Sequence, residues 1–219
     1  MARTLLLDLD GTLVDTVPDI AAALNRLMAA RSLASFAPPE VASMVGDGVA
    51  VLISRAFAAR GVAPDDAALK AFAADYEENV AVESRLFPHV RPVLEGLARD
   101  GWQFAVCTNK PERASRTLLA ALGILPLLRA VGGGDSFPVR KPDPAHLLAT
   151  LEQAAGDAGQ ALMLGDHRND VLASGGAGIS CIYAAWGYGA PGMGEGSAAV
   201  ARDMIEAADL ANQLLPRFA

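Results

Sequence analysis

Two aspartates close to the start of the chain, Asp8 and Asp10, come directly after a short apolar run at residues 5–7. Such a run is typical of a strand buried on both faces of a parallel sheet, and α/β proteins bind ligands at the carboxyl ends of such strands. Because one residue separates the aspartates, both carboxylates lie on the same side of an extended backbone. Like charges this close repel unless a cation lies between them or one of them is protonated. The pair therefore predicts a site for a cation or for proton transfer.

The same stretch allows two simpler interpretations. Gly11 could form a turn in which the aspartates hydrogen-bond their own backbone. An EF-hand calcium loop also begins Asp-x-Asp, but it requires Gly at its sixth position and Glu at its twelfth, where this chain has Leu13 and Asp19. The calcium loop is therefore excluded. The stretch alone favours a catalytic site and leaves the turn open.

Further polar residues follow later apolar runs or lie in the loops next to them. They are Thr108, Asn109, Lys141, Asp166 and Asp170. Each has an ordinary explanation by itself: an N-cap for the Thr-Asn pair, a solvated loop residue for the lysine, and a turn for the first of the two aspartates. Together with the first aspartate pair, they provide a nucleophilic carboxylate, a carboxyl group for proton transfer, a hydroxyl, an ammonium and carboxylates for a metal. This combination indicates phosphoryl transfer.

The elements that must position these residues alternate between strand and helix after residue 85. Four apolar runs predict strands there, at residues 103–107, 127–131, 161–164 and 179–183. Amphipathic stretches between the runs predict helices, and this alternation favours a parallel sheet with helices on both faces. Residues 16–84 show helical periodicity only. The sequence therefore predicts an α/β fold, a Rossmann-like parallel sheet core flanked by helices (residues 1–15 and 85–219), with an inserted all-helical cap domain (residues 16–84) after the first strand.

Two further segments bear on the site. Residues 186–196 hold five glycines and a proline, which predicts a loop. The cap joins the core through two short linkers, near residues 15–17 and 84–87. Because hydrolysis requires the substrate to be shielded from bulk water before reaction, we expect the cap to open and close over the strand ends.

The composition excludes several classes of protein. Of the 219 residues 52% are apolar, which is ample for a core, and 18 Lys and Arg against 25 Asp and Glu give a net charge of −7. Because the basic residues are also scattered, binding to nucleic acid or to an anionic membrane is not expected. No apolar run is long enough to span a membrane, and the first residues are not expected to act as a signal peptide. Cys107 and Cys181 lie in apolar runs, which predicts buried free thiols in a cytoplasmic protein.

Four segments, in this order and spacing, resemble the four motifs of the haloacid dehalogenase-like hydrolase superfamily. They are Asp-Leu-Asp-Gly-Thr-Leu-Val from residue 8, Thr-Asn-Lys from residue 108, Lys-Pro-Asp-Pro from residue 141 and Gly-Asp-His-Arg-Asn-Asp from residue 165. The similarity covers essentially the whole chain. It is strongest to the phosphoglycolate phosphatase type, which residues 44–48 and 76–80 of the cap also resemble.

The resemblance implies a catalytic role for four residues. Asp8 would attack the phosphorus atom and become an aspartyl-phosphate, and Asp10 would act first as general acid and then as general base. Thr108 and Lys141 would hold the oxygens of the transferring phosphoryl group, and Asn109 would also contact the substrate. The protein would therefore be a phosphoric monoester hydrolase.

The resemblance also implies a Mg²⁺ cofactor. The ligands would be Asp8, the backbone carbonyl of Asp10, and Asp166, while Asp170 would bind the metal directly or hold its waters. With Asp10 protonated, the other three aspartates and a phosphate dianion carry far more negative charge than Lys141 can balance. Without the metal, the site could not accept its substrate.

Substrate selectivity is expected to come from the cap turn Gly46, Asp47 and Gly48. Its backbone N–H groups suit a small anionic leaving group, provided that the Asp47 carboxylate points away. The first candidate substrate is 2-phosphoglycolate, a small-molecule phosphomonoester that would be hydrolysed to glycolate and phosphate. This substrate is the one binding partner we expect, and the protein is expected to be a monomer or a homodimer.

Other functions stay open at this point. A sugar-phosphate phosphatase or mutase of the same fold is one, although mutases of this shape usually carry Arg just after Gly46, where this chain has Asp47. A non-catalytic phosphate-binding or scaffolding protein is another, and an assay with an aryl phosphate and Mg²⁺ separates it from an enzyme. A receiver-type signalling domain is disfavoured because it has no helical insertion after its first strand.

The three histidines have no assigned catalytic role. His146 lies in a predicted helix, and we expect it to be solvated. His89 stands where the resembling family more often has Gly. His167 lies beside the predicted metal ligand Asp166, so both a contact near the metal and a neutral surface role are open.

Overall fold

Strands and helices alternate along most of the chain in the computed structural model, which describes residues 2–217. The strands are β1 (Arg3–Leu7), β2 (Val14–Asp15), β3 (Arg85–Leu86), β4 (Trp102–Cys107), β5 (Leu128–Gly132), β6 (Ala161–Gly165), β7 (Ser180–Ala184) and β8 (Ala199–Ala201). The helices are α1 (Val17–Ala30), α2 (Pro38–Ala42), α3 (Val49–Ala58), α4 (Asp66–Glu78), α5 (Val90–Arg99), α6 (Glu112–Ala121), α7 (Pro144–Gln153), α8 (Arg168–Gly176) and α9 (Met204–Leu214). The predicted alternation beyond residue 85 is confirmed.

β1 lies inside a parallel sheet with the strand order β5-β4-β1-β6-β7-β8. Because side chains alternate between the faces of a strand, Leu5 and Leu7 pack into one core while Leu6 packs into the other. Buried residues of α5, α6 and α9 cover the first face, and those of α7 and α8 cover the second. The predicted α/β fold, with helices on both faces of a parallel sheet, is confirmed.

Helices α1 to α4 form the cap, which is inserted between β2 and β3. These two short strands pair in antiparallel orientation, so the chain enters and leaves the cap along one ribbon. Asp19, buried near the start of α1, accepts hydrogen bonds from the backbone N–H groups of Glu83 and Ser84 at 2.8 Å each. The linkers predicted near residues 15–17 and 84–87 lie at this ribbon.

The sequence pattern missed the shortest strands. β2 and β3 hold two residues each and β8 holds three, which is too short to show a period of two. The predicted limits of the cap, residues 16–84, stay a prediction. Residue 1 and residues 218–219 of the predicted core lie outside the described residues.

Within the described residues, no helix has the length and apolar character needed to cross a lipid bilayer. Cys107 and Cys181 are free and buried, as predicted. Burial raises the pKa of both thiols to about 12. Both cysteines are therefore protonated near neutral pH and poor nucleophiles.

Candidate active site

The predicted core-side residues lie together at the carboxyl ends of neighbouring strands. Asp8 follows β1, Thr108 follows β4 and Asp166 follows β6, and β1 lies between the other two strands. Asp170 lies in the first turn of α8, and Lys141 lies in the loop before α7. All five residues are buried. The carboxyl ends of the strands therefore form the expected crevice, and the predicted residues line it.

Lys141 pairs with two aspartates in this crevice. Its Nζ lies 2.9 Å from Asp8 Oδ1 and 2.6 Å from Asp170 Oδ1, and it donates a hydrogen bond to the carbonyl of Cys107 at 2.6 Å. Burial lowers the pKa of Lys141, but the charges of Asp170 and Asp8 outweigh burial and raise it overall. Lys141 is therefore a fixed cation, and a solvated loop lysine is excluded.

Asp8, Asp166 and Asp170 form a cluster that could hold a metal ion. Each offers a carboxylate oxygen, and these oxygens lie within 4.8 Å of one another. Burial, followed by the charges of Asp8 and Asp170, raises the pKa of Asp166. Asp8 Oδ1 is buried, and its 2.9 Å contact with Lys141 is an ion pair without hydrogen-bond geometry. A hard divalent cation bound by oxygen ligands, such as Mg²⁺, fits this excess of buried negative charge.

Neighbouring groups hold the cluster in place. Asp166 accepts hydrogen bonds from the Thr12 hydroxyl at 2.7 Å and from the backbone N–H of Tyr188 at 2.8 Å. Asp170 accepts one from the backbone N–H of His167 at 3.0 Å. Carboxylate oxygens have further lone pairs, so these bonds orient the cluster and leave it able to bind a cation.

Asp10 is paired with Lys110, the last residue of the Thr-Asn-Lys segment, which was not among the predicted site residues. Lys110 Nζ lies 3.0 Å from Asp10 Oδ1 and donates a hydrogen bond to the hydroxyl of Tyr76 in the cap at 2.5 Å. Burial lowers the pKa of Lys110, but Asp10 and Tyr76 outweigh burial and raise it. One signal was present in the sequence: Lys110 is one of three lysines in the chain and directly follows the polar pair after β4.

The two polar residues after β4 have different surroundings. Thr108 is buried at the wall of the cavity described below. The side-chain amide of Asn109 donates hydrogen bonds to the carbonyl of Gly46 at 3.0 Å and to that of Lys141 at 2.9 Å. Asn109 therefore connects the cap turn to the Lys141 loop.

The cap turn contacts the core directly. The Asp47 carboxylate accepts hydrogen bonds from Asn169 of α8 at 2.7 Å and from Arg55 at 2.6 Å. Burial raises the pKa of Asp47, but the hydrogen bonds from Asn169 and Arg55 outweigh burial and lower it overall. The carboxylate is thus engaged by these two residues, while Gly46 and Gly48 line the cavity.

The expectation that His146 is solvated is wrong. His146 is fully buried, and its Nδ1 accepts a hydrogen bond from the backbone N–H of Lys141 at 3.2 Å. Its Nε2 lies 3.1 Å from the carbonyl of Gly133, which fits an N–H at that nitrogen. Burial lowers the pKa of His146 to about 4, so the imidazole is neutral and supports the Lys141 loop.

The other two histidines lie at the starts of helices. His167 caps α8, where its Nδ1 accepts a hydrogen bond from the backbone N–H of Asn169 at 3.2 Å. Its ring faces the cap at Gly46. His89 is exposed and has a φ of 66° before α5, a left-handed conformation that favours Gly.

A cavity lies between the strand ends and the cap. Its core side is formed by Asp8, Asp10, Thr108, Asn109 and Lys110. Its cap side is formed by Ile20, Val45, Gly46, Gly48, Val49, Leu52, Phe72 and Tyr76. The predicted nucleophile and the predicted acid–base residue therefore face the same space.

A family model described as haloacid dehalogenase-like hydrolase matches residues 5–184, which include all the predicted site residues. The chain belongs to the haloacid dehalogenase-like hydrolases. A phosphoglycolate phosphatase of Cereibacter sphaeroides is 43% identical to it over 185 residues, covering 83% of this chain and 84% of that protein. One of Agrobacterium fabrum is 40% identical over 185 residues, covering 83% and 79%. The crystal structure of a predicted phosphoglycolate phosphatase from Haemophilus somnus has a TM-score of 0.86 at 30% identity, covering 97% of this chain and 96% of that one.

These similarities confirm the predicted family, the fold class and the enzyme class, a phosphoric monoester hydrolase. This haloacid dehalogenase-like hydrolase brings the predicted core-side residues into one crevice. Among the predicted substrate contacts, Asp47 is not part of the cavity wall. The Asp10 side chain is directed at Lys110. The predicted contact between the metal and the backbone carbonyl of Asp10 stays a prediction.

Proposed function

We propose that the protein is a Mg²⁺-dependent phosphatase that hydrolyses a small phosphomonoester through an aspartyl-phosphate at Asp8, with 2-phosphoglycolate as the first candidate substrate. One observation carries this proposal. Asp8 Oδ1 is buried at 2.9 Å from the fixed cation Lys141, and no group of the described residues donates to it with hydrogen-bond geometry. Such a carboxylate is positioned as a nucleophile beside groups that stabilise phosphoryl oxygens.

The proposed reaction has two steps. An oxygen of Asp8 forms a bond to phosphorus while the bond to the leaving alkoxide breaks, and Asp10 gives that alkoxide a proton. Asp10, now ionised, takes a proton from a water molecule that attacks phosphorus. The phosphorus–oxygen bond to Asp8 then breaks, and phosphate leaves.

The other residues position the phosphoryl group and balance its charge. Lys141 would place its ammonium against a phosphoryl oxygen, and Thr108 would donate a hydrogen bond from its hydroxyl. A Mg²⁺ ion held by Asp8, Asp166 and Asp170 would neutralise the negative charge of the phosphate when bound.

The choice of substrate is supported by the relatives named phosphoglycolate phosphatase at 40% and 43% identity. Engagement of the Asp47 carboxylate by Arg55 and Asn169 agrees with an anionic leaving group, because it ties up the charge that would repel one. We further propose that the protein works in the cytoplasm, which agrees with its free cysteines.

The proposed intermediate is tested by trapping. Protein quenched in acid during turnover of 2-phosphoglycolate with Mg²⁺ is reduced with borohydride, which converts an aspartyl-phosphate to homoserine. Peptide mass spectrometry should find homoserine at position 8 in the wild type and in the control Asp143→Asn, which changes an exposed N-cap residue. Asp8→Asn should give no homoserine and no turnover with an unchanged circular dichroism spectrum. Substantial turnover by Asp8→Asn would contradict the assignment of the nucleophile.

A further inference from the structure

The cap side of the active-site cavity carries few polar groups. Five of its side chains are apolar: Ile20, Val45, Val49, Leu52 and Phe72. Its polar groups are the Tyr76 hydroxyl and the backbone of Gly46 and Gly48. A leaving group with many hydroxyls, such as a sugar, would leave several of them without partners against this wall, and buried unpaired polar groups reduce binding. The wall therefore favours a small leaving group with few polar atoms.

Lys110 is the one cationic side chain among the described residues that line this cavity. It is only 5% exposed, and its ammonium is fixed between Asp10 and Tyr76. The ring of Tyr76 lies under the ammonium, with 4.3 Å from Nζ to the ring centroid, and stacks on Phe72 at 5.7 Å between centroids. This packing holds the Lys110 ammonium and the Tyr76 hydroxyl next to each other on the cavity wall.

The Lys110 ammonium and the Tyr76 hydroxyl can both donate a hydrogen bond to an acceptor that enters the cavity. An ammonium has three N–H donors, and Lys110 Nζ contacts Asp10 Oδ1 at 3.0 Å, Asp10 Oδ2 at 3.3 Å and the Tyr76 hydroxyl at 2.5 Å. Because two of these contacts go to one carboxylate, an incoming acceptor can replace the longer of them. The Tyr76 oxygen accepts one of these bonds, and the hydrogen bonds within residues 2–217 include none that the Tyr76 hydroxyl donates. The Tyr76 hydroxyl and the ammonium donor that makes only the 3.3 Å contact with Asp10 therefore lie side by side at the cavity.

We infer that Lys110 and Tyr76 bind a carboxylate on the leaving group and so select a 2-hydroxycarboxylic acid phosphate as the substrate class. The inference rests on the proposed phosphatase function. Asp10 is proposed to protonate the ester oxygen, and Lys110 Nζ lies 3.0 Å from Asp10 Oδ1. In such a substrate the carboxylate lies one carbon from that oxygen. One short molecule can therefore place its ester oxygen at Asp10 and its carboxylate at Lys110 and Tyr76.

The test compares two substrates of similar size, 2-phosphoglycolate and 2-hydroxyethyl phosphate, in which a hydroxymethyl group replaces the carboxylate. The measured quantity is the ratio of their kcat/KM values at fixed Mg²⁺. Lys110→Met should lower this ratio by ~10- to 100-fold, the scale of a hydrogen bond to a charged group, and Tyr76→Phe by ~3- to 10-fold. Lys70→Met, which changes an exposed lysine on the same helix as Tyr76, should leave the ratio unchanged.

The ratio distinguishes carboxylate binding from support of Asp10. If Lys110 served only Asp10, its replacement would slow both substrates equally, and an unchanged ratio in both variants would overturn the inference. Tyr76→Phe keeps the ring packing, so it decides the question even if Lys110→Met fails to fold. A wild-type protein that prefers 2-hydroxyethyl phosphate would overturn the inference and leave the phosphatase proposal standing. A wild-type protein that hydrolyses no phosphomonoester would overturn both.

Discussion

Gly46 gives the sharpest test of whether the cap must close on the core. Its φ is 118°, and a Cβ built on it would lie 2.5 Å from Cδ2 and 2.8 Å from Nε2 of His167. Ordinary contacts begin at 3.4 Å. The His167 ring cannot easily move aside, because its Nδ1 caps α8. In Gly46→Ala the cap turn must therefore move away from the core by roughly 0.9 Å.

The cost of that movement follows from the contacts of the turn. The Gly46 carbonyl accepts hydrogen bonds from Asn109 Nδ2 at 3.0 Å and from Asn169 Nδ2 at 3.3 Å. A shift of roughly 0.9 Å takes both beyond hydrogen-bond distance. At about 1 kcal/mol for each bond, the closed arrangement loses about 2 kcal/mol. This corresponds to a decrease of ~30-fold in kcat/KM if turnover requires closure.

The assay is steady-state hydrolysis of 2-phosphoglycolate by Gly46→Ala and two companions. Gly61→Ala is the control, because Gly61 also has a positive φ, 72°, but no described residue other than its chain neighbours has an atom within 4 Å of its Cβ position. It should lower thermal stability and leave kcat/KM unchanged. Gly46→Ala combined with His167→Ala removes the clash and leaves only the backbone strain of the positive φ, so it should recover most of the kcat/KM lost relative to His167→Ala alone. Wild-type kinetics in Gly46→Ala would refute the requirement for closure.

Three further predictions concern the core. Lys141→Met should lower kcat at least ~10²-fold while the circular dichroism spectrum stays unchanged, because it removes the cation beside Asp8, and a decrease below tenfold would contradict this role. Chelation should abolish turnover, and Mg²⁺ at ~100 Kd should restore it and add about 2.7 kcal/mol to the free energy of unfolding in the wild type but not in Asp166→Asn. His146 has its pKa lowered from 6.5 to about 4, so its contribution to stability is present above pH 6.5 and is lost as the pH falls to 4. Urea unfolding should show a loss of up to about 3 kcal/mol over that range, and the loss should be smaller in His146→Gln.

Much of the core side of the site could be predicted because it depends on strand ends. Asp8, Thr108 and Asp166 each follow a short apolar run, and parallel strands bring their carboxyl ends to one edge of the sheet. Both facts are visible in one sequence. No contact between distant side chains was needed to place these three residues together.

Contacts that depend on tertiary packing could not be predicted in this way. The hydrogen bond between Lys110 and Tyr76 joins residues 34 positions apart and exists only because α4 packs over the ends of the strands. The error at His146 has the same origin. A polar residue in an amphipathic helix usually faces water, but His146 lies on the buried face because Gly133 and the N–H of Lys141 satisfy its ring.

The glycine-rich segment after β7 is a loop, as its composition predicts, but composition does not show what its glycines contact. Its glycines are typical of a flexible connection, yet a Cβ at Gly187 would lie 2.3 Å from Asp166 Cβ, and one at Gly189 would lie 2.0 Å from the Asp166 carbonyl. Close approach to a predicted metal ligand therefore accounts for both glycines. Between them, Tyr188 donates its backbone N–H to Asp166 at 2.8 Å and its hydroxyl to Asp15 at 2.6 Å. Because Asp15 belongs to the ribbon that leads into the cap, this one residue connects the carboxylate cluster to the base of the cap, and the glycines are what let the loop come near enough to do so.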